Sequence, residues 1–335
     1  MSAQLPDGDL DTWAATFDDR QPVYARLRSE VDSAMQEALD GQGLKIHYYT
    51  SRLKERRSFL EKVTRKGYAD PFRDMHDFVA ARVVCLFLDD LAIVDGLIRK
   101  TFLVVSHEDK TNSSSTEVFG YRAVHYDCQI LPNQRGRIYE PIKAITFEIQ
   151  VRTILQDAWA SVEHYLGYKG SNSVPIESKR DFGALVGLFH LADKTFQQIK
   201  HASAQLDRDA EVAVKEVAEH GSQEGSVGNV SDVAINRSTL KAFLRQTFPD
   251  RRPSDDATYS DFVEELTKSD VSGINDLRRL LSRGKRVAEQ AEANDPPPSI
   301  DGEPSQYTDV GLARIAMDVA FPGFKEARFR IVRTE

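Results

Sequence analysis

The sequence predicts a mixed α/β or α+β fold, and three observations predict it. Helical periodicity opens the chain, four short β-like runs follow between about residues 79 and 151, and long helical patterns resume after them. At 335 residues, 41% hydrophobic and 29% charged, the chain is long enough for one large domain plus a smaller one.

Taken in order, apolar positions at helical spacing mark a first helix over 12–40. A second covers about 44–66 and stops at Gly67. Strands are predicted at 79–88, 101–107, 122–131 and 144–151, with a helix over 91–100 between the first two. A further helix spans 153–168, and a long helical stretch over 178–219 begins after a Pro-containing loop. Residues 220–235 (HGSQEGSVGNVSDVAI) are rich in Gly and Ser and read as a linker. Helical segments over 237–292 follow, prolines at 296–298 break the chain, and a last helix covers 308–319. The division is a core over 1–200, a helix end and linker over 201–235, and a mainly helical region over 236–335. That last region carries no metal-ligand cluster, Gly-rich phosphate loop or nucleophile motif.

Composition removes several classes of function. No apolar run approaches the roughly 20 residues that span a bilayer. The N-terminus (MSAQLPDGDLDTW) is acidic and lacks the apolar core of a secretory signal. Cys85 and Cys128 lie inside apolar β-like runs and read as packed thiols, so the expected compartment is the cytoplasm. A net charge of −8 argues against DNA as a partner. Within this acidic chain, residues 45–66 (KIHYYTSRLKERRSFLEKVTRK) concentrate cations in a patch suited to a small polyphosphate.

Four segments carry residues of chemical interest. Arg52, Lys54, Ser58, Lys62 and Arg65 are spaced by two, four, four and three, which places the last three on one helical face. Phosphates need such convergent donors, and Arg adds a flat surface for a base. In His76-Asp77-Phe-Val-Ala-Ala-Arg82-Val-Val-Cys, an Asp stands at the mouth of a buried strand and Arg82 interrupts an apolar run. A charge there must be paired or meet a ligand. In Phe119-Gly120-Tyr121-Arg122-Ala-Val-His125-Tyr126, Gly120 permits a turn close to a ligand and Tyr121 offers a ring for stacking. In Thr146-Phe-Glu148-Ile-Gln150-Val-Arg152-Thr153, period-two alternation puts Phe147, Ile149 and Val151 on one face and Glu148, Gln150 and Arg152 on the other. Asp77 and Glu148, from two strands, are candidates to hold Mg²⁺ while substrate phosphates complete its shell. The following helix buries Trp159 and directs Asp157 or Glu163 toward whatever that polar strand face binds.

In this order, R-x-K-x₃-S-x₃-K-x₂-R, D-x₄-RVV, GYRAVHY and EIQVRTxLQDAWAxxEHxLxYK make residues 20–200 similar to the synthetase domain of the RelA/SpoT family, in its small, hydrolase-free form. The resemblance implies a nucleotidyltransferase-like mixed sheet flanked by helices. It implies transfer of the β,γ-pyrophosphate of ATP to the 3′-hydroxyl of GDP or GTP, giving (p)ppGpp and AMP, with Mg²⁺ as cofactor. By motif position, Arg52 and Arg82 would sandwich adenine, and Lys54, Ser58, Lys62 and Arg65 would hold the ATP phosphates. Asp77 and Glu148 resemble the essential carboxylates, Tyr121 resembles the tyrosine that stacks on guanine, and Arg122, His125 and Gln150 fall with it on the acceptor side. Asp157 and Glu163 fall near the guanine edge. Where many relatives carry Lys-Pro-Asn before Gly-Tyr, this chain has Ser-Thr-Glu-Val-Phe, so a basic acceptor contact is missing or comes from Arg135, Arg137 or Lys143.

Two other readings share the motifs. One is a toxin-like pyrophosphokinase acting on adenosine nucleotides or the tRNA 3′ end; the other is a non-catalytic nucleotide-binding module. The family further implies a homo-oligomer assembled through helices after the core, and the short segment ahead of the core predicts synthesis without hydrolysis.

Overall fold

A computed structural model describes residues 7–109, 123–167, 179–220, 232–298 and 305–331. The chain divides into two compact units, Met1–Ile199 and Lys200–Glu335. Among the described residues no helix is long and apolar enough to cross a membrane.

The first unit is built on a five-stranded sheet of order β1-β2-β5-β4-β3, made of β1 (Ile46–Leu53), β2 (Val79–Cys85), β3 (Leu103–Asp109), β4 (Val124–Gln129) and β5 (Phe147–Thr153). Only β2 and β5 run parallel; the other neighbours are antiparallel. The sheet is mixed and flanked by helices, as expected. β2 (VAARVVC) is an interior strand, buried along its length apart from the half-buried Arg82, which is why it reads as an almost continuous apolar run.

One face of the sheet is covered by α1 (Asp7–Gln42) and α4 (Leu88–Thr101). The buried positions of α1 (Phe17, Tyr24, Leu27, Val31, Met35 and Leu39) recur at helical spacing and join Ala81, Val83, Ile149 and Val151 in one core. Aromatic pairs tighten it: Phe17 stacks on Phe59 at 4.7 Å and Tyr24 on Phe78 at 4.8 Å. Cys85 and Cys128 are buried free thiols, and burial pushes the Cys128 thiol up to about 12.

One expectation is corrected. The single helix predicted over 44–66 is strand β1 followed by a shorter helix, α2 (Arg56–Lys66). Ile46, Tyr48, Tyr49 and Thr50 are β-branched or aromatic and favour the pleat, and β1 pairs along its length with β2. Its alternate residues point to opposite sides. Tyr49 and Ser51 donate hydroxyl hydrogen bonds to Asp32 of α1, at 2.7 and 2.9 Å. Helix α2 ends at Gly67, whose φ of +66° is the left-handed C-cap conformation.

A short helix α3 (Pro71–Asp74) leads to Asp77 at the head of β2. After β5 come α5 (Ile154–Gly167) and α6 (Lys179–His220).

The second unit packs α7 (Arg237–Thr247), α8 (Asp256–Lys268), α9 (Ile274–Asn294), α10 (Asp309–Ala320) and α11 (Phe324–Ile331) around its own core of Leu240, Phe243, Tyr259, Phe262, Leu277 and Met317. The backbones of α9 and α10 approach so closely that a Cβ on Gly284 would lie 2.0 Å from the carbonyl oxygen of Ala316. The buried carboxylates Glu292 and Asp309 are matched. Glu292 takes a bidentate pair from Arg251 at 2.8 and 2.7 Å, and Asp309 accepts from the Ser254 N–H at 2.9 Å and from the Tyr259 hydroxyl.

Candidate active site

The sheet face opposite α1 is polar because of strand alternation, and the register arranges it in rows. Arg52 pairs with Ala80, Ala80 with Glu148, and Glu148 with Asp127. The next row runs Thr50, Arg82, Gln150, His125. A third holds Tyr48, Val84 and Arg152. Rows one and two thus gather chemical residues from four strands that lie far apart in sequence. Phe147, Ile149 and Val151 are buried toward the core, as period two requires.

An open groove of about 930 Å³ lies on this face, between the sheet and α5. Arg52, Arg82, Gln150 and Arg152 line one side, and Ser161, His164 and Tyr165 come from α5. The shape and planar cations suit a nucleotide base.

The two carboxylates are each held by cations or donors. Lys54 Nζ lies 2.7 Å from Asp77 Oδ2 and Lys62 Nζ lies 3.0 Å from Oδ1. The Lys54 backbone N–H donates to the Phe78 carbonyl at 2.9 Å, which fixes the lysine beside Asp77. Burial pushes the Asp77 carboxyl up, but the hydrogen bond and charge of Lys54, joined by Lys62, outweigh it and hold the pKa below the ordinary 3.8. The same burial lowers the Lys54 pKa against the pull of Asp77. Glu148 Oε1 contacts His125 Nδ1 at 2.6 Å, and Oε2 accepts from Gln150 Nε2 at 2.9 Å. Burial raises Glu148 as well; His125 and Gln150 bring it below its ordinary value, and the nearby Asp77 charge pushes back. Asp77 stands three residues ahead of Ala80, the ladder partner of Glu148, so both acids belong to the same end of the β2–β5 pair.

At the third row, Asp157 from the first turn of α5 accepts three bonds. Tyr48 donates its hydroxyl to Oδ2 at 2.5 Å, and the guanidinium groups of Arg82 and Arg152 reach Oδ1 at 3.1 and 3.4 Å. Gln150 Oε1 also accepts from both arginines.

A family model described as the region found in RelA / SpoT proteins matches residues 51–173, which contain this whole arrangement except for Tyr48 and Thr50. GTP pyrophosphokinase YwaC of Bacillus subtilis (strain 168) is 31% identical over 165 residues, covering 46% of this chain and 74% of that protein. The chain belongs to the RelA/SpoT family. A second relative, GTP pyrophosphokinase YjbM of the same organism, is 33% identical over 141 residues, covering 40% of this chain and 62% of its own. Among solved structures, the small alarmone synthetase 2 from Bacillus subtilis superposes with a TM-score of 0.48 at 25% identity, over 55% of this chain and 98% of that one.

Within this RelA/SpoT chain, the register brings Arg52, Arg82, His125, Glu148 and Gln150 to one face of the sheet, and Lys54, Lys62 and Asp77 cluster at the head of β2. Ser58 and Arg65 are exposed on α2, on the helical face that carries Lys62. Asp157 faces the arginines at the groove's far end from Asp77. Glu163 is half-buried on α5 and is not among the groove-lining residues, whereas His164 and Tyr165 are. Tyr121 and Arg122 lie outside the described residues. Lys143 pairs with Glu140 at 3.4 Å.

Sequence reasoning missed Tyr48 and Asp127. Asp127 sits opposite Glu148 in the ladder and accepts from Ser106 at 2.8 Å, with His76 Nδ1 at 2.9 Å. A usable signal existed: an Asp inside the strand-like run His-Tyr-Asp-Cys-Gln-Ile interrupts an apolar pattern, just as Arg82 does.

Proposed function

We propose that this chain is a pyrophosphokinase that transfers the β,γ-pyrophosphate of ATP to the 3′-hydroxyl of GDP or GTP. The observation that carries the reading is the pair of carboxylates at one end of the β2–β5 pair, Asp77 held by Lys54 and Lys62, and Glu148 on the face of the arginine-lined groove. Membership of a family whose similar members are named GTP pyrophosphokinases supports it.

The reaction joins the acceptor O3′ to the β-phosphorus and breaks the bond from that phosphorus to the bridging oxygen, which leaves with AMP. The hydroxyl proton goes to Glu148. His125 and Gln150 hold that carboxylate ionised and aimed, each occupying one oxygen edge. A depressed pKa makes it a weak base, which is tolerable because phosphoryl transfer depends mainly on positioning and charge neutralisation. Lys54 and Lys62, with Ser58 and Arg65 on the same helix, would move from neutralising Asp77 to neutralising the triphosphate. Arg52 and Arg82 would flank the adenine, and Tyr121, Arg122 and His125 would meet the acceptor.

Mg²⁺ is the proposed cofactor. Among the described residues no group of three or more His, Cys, Asp or Glu is placed to hold a metal unaided. Two carboxylates fit an ion that completes its shell with phosphate and water. Asp77 Oδ1 is buried and faces the Lys62 ammonium at 3.0 Å, so it already serves a cation. When bound, the ion would neutralise charge developing on the transferred group.

The test is incubation with γ-labelled ATP and, separately, GDP, GTP, GMP, ADP and tRNA, with products resolved by thin-layer chromatography. Label moving to GDP or GTP is the expected result. Label moving only to ADP or tRNA would establish a toxin-like activity instead, and no transfer to any acceptor would leave a binding module.

A further inference from the structure

At the end of the groove remote from Asp77, one carboxylate organises two of the three arginines that line it, Arg82 and Arg152. We infer that Asp157, supported by Tyr48, is a positioning residue for the donor base: it holds Arg82 flat against the groove rather than reading the edge of the acceptor base. This inference rests on the assignment of the Arg52–Arg82 groove to ATP.

Both carboxylate oxygens of Asp157 are already occupied. Oδ2 of Asp157 is taken by the Tyr48 hydroxyl at 2.5 Å, and Oδ1 by Arg82 at 3.1 Å and Arg152 at 3.4 Å. A carboxylate that reads the N1–H and N2–H of a guanine needs both oxygens facing the ligand. Here both face protein donors, and the side chain is only 14% exposed.

Charge points the same way. Arg82 lies close enough to disfavour the charge on Arg152; burial is the larger cause of the lowered Arg152 pKa, and Arg82 the next. Asp157 supplies the anion that lets the two sit side by side, and Gln150 Oε1 bridges their other ends. A free arginine samples many rotamers, so a guanidinium pinned before the ligand arrives loses less freedom on stacking. Tyr48, across the ladder from Val84 in the third row, anchors the carboxylate without lining the groove.

The test is isothermal titration of the full chain with two ligands: ATP bearing a methylene bridge between its α and β phosphorus atoms, and GDP. Asp157→Ala should weaken the ATP analogue about tenfold, the loss expected for a hydrogen bond to a charged group, and leave GDP affinity unchanged. Asp157→Asn should restore part of the loss, because the amide oxygen still accepts from a guanidinium. Tyr48→Phe should produce a smaller loss in the same direction. In turnover the KM for ATP should rise while kcat at saturating ATP is retained. Inorganic tripolyphosphate, which lacks a base, should bind all four proteins alike.

Loss of GDP affinity alone would overturn the inference in favour of a guanine-edge role, and equal loss for both nucleotides would reduce it to a general folding effect. Unchanged affinities would overturn it outright. The titrations need no turnover, so a wild-type chain that binds the analogue but transfers nothing would sink the proposed reaction while these variants still decide the role of Asp157.

Discussion

At the scale of single residues, the site is a set of charges already matched within the protein. Lys54 is nearly enclosed, with its side chain 7% exposed, and its ammonium is tolerable there because Asp77 is beside it. Glu148→Gln keeps the shape and removes the base, so kcat should fall about 10³-fold with an unchanged circular dichroism spectrum; turnover near that of wild type would refute the role of Glu148. Asp77→Ala should likewise abolish turnover without unfolding the chain. The pH dependence follows from direction. Asp77 has a folded pKa below its ordinary 3.8, so its pairing contributes stability that is fully present above 3.8 and is lost as the pH falls through the folded value. Lys54→Met removes the main cause of the depression. Its acid-unfolding midpoint, followed by circular dichroism, should therefore move to higher pH, and a midpoint that stays put would show that Lys62 alone sustains the carboxylate.

At the scale of elements, legibility depended on whether an element's own sequence carries its reason. β5 was readable because Phe147, Ile149 and Val151 alternate strictly with Glu148, Gln150 and Arg152. β2 was readable as an apolar run broken by one charge. β1 was not: its Ile, Tyr and Thr residues sit beside Arg52, Lys54 and the cationic α2, whose side chains favour helix, and its strand character comes from pairing with β2. The roles of Tyr48 and Asp127 depend on which residues lie across the sheet, and register between distant strands leaves no local trace. Glycine offers a test at this scale. The crossing of α9 and α10 is set by Gly284, where a methyl group would meet the Ala316 backbone at 2.0 Å. Backbone cannot step aside as a side chain can, so Gly284→Ala should cost about 1–3 kcal/mol in urea unfolding of the second unit. A variant as stable as wild type would mean that the helices separate freely.

At the scale of the whole molecule, two cores imply two events. Both tryptophans, Trp13 and Trp159, belong to the first unit, so their fluorescence reports that unit, while far-UV circular dichroism also records the helices of the second. The two probes should give urea transitions that do not coincide, and Gly284→Ala should shift the dichroism curve and spare the fluorescence curve. Superimposable curves would show that the units unfold together. All the proposed catalytic groups lie in the first unit, so a chain ending at residue 220 should keep its turnover if the second unit plays no part in chemistry. The rows across the sheet carry a last implication, for how such a protein can change over time. Each strand contributes to the site only through its odd or its even positions, so exchanging one side chain alters one contact, whereas gaining or losing one residue within β5 would turn its acid, amide and guanidinium into the apolar interior and bring greasy side chains out in their place. Lineages carrying this chemistry should therefore tolerate spelling changes along that strand and no frame changes at all.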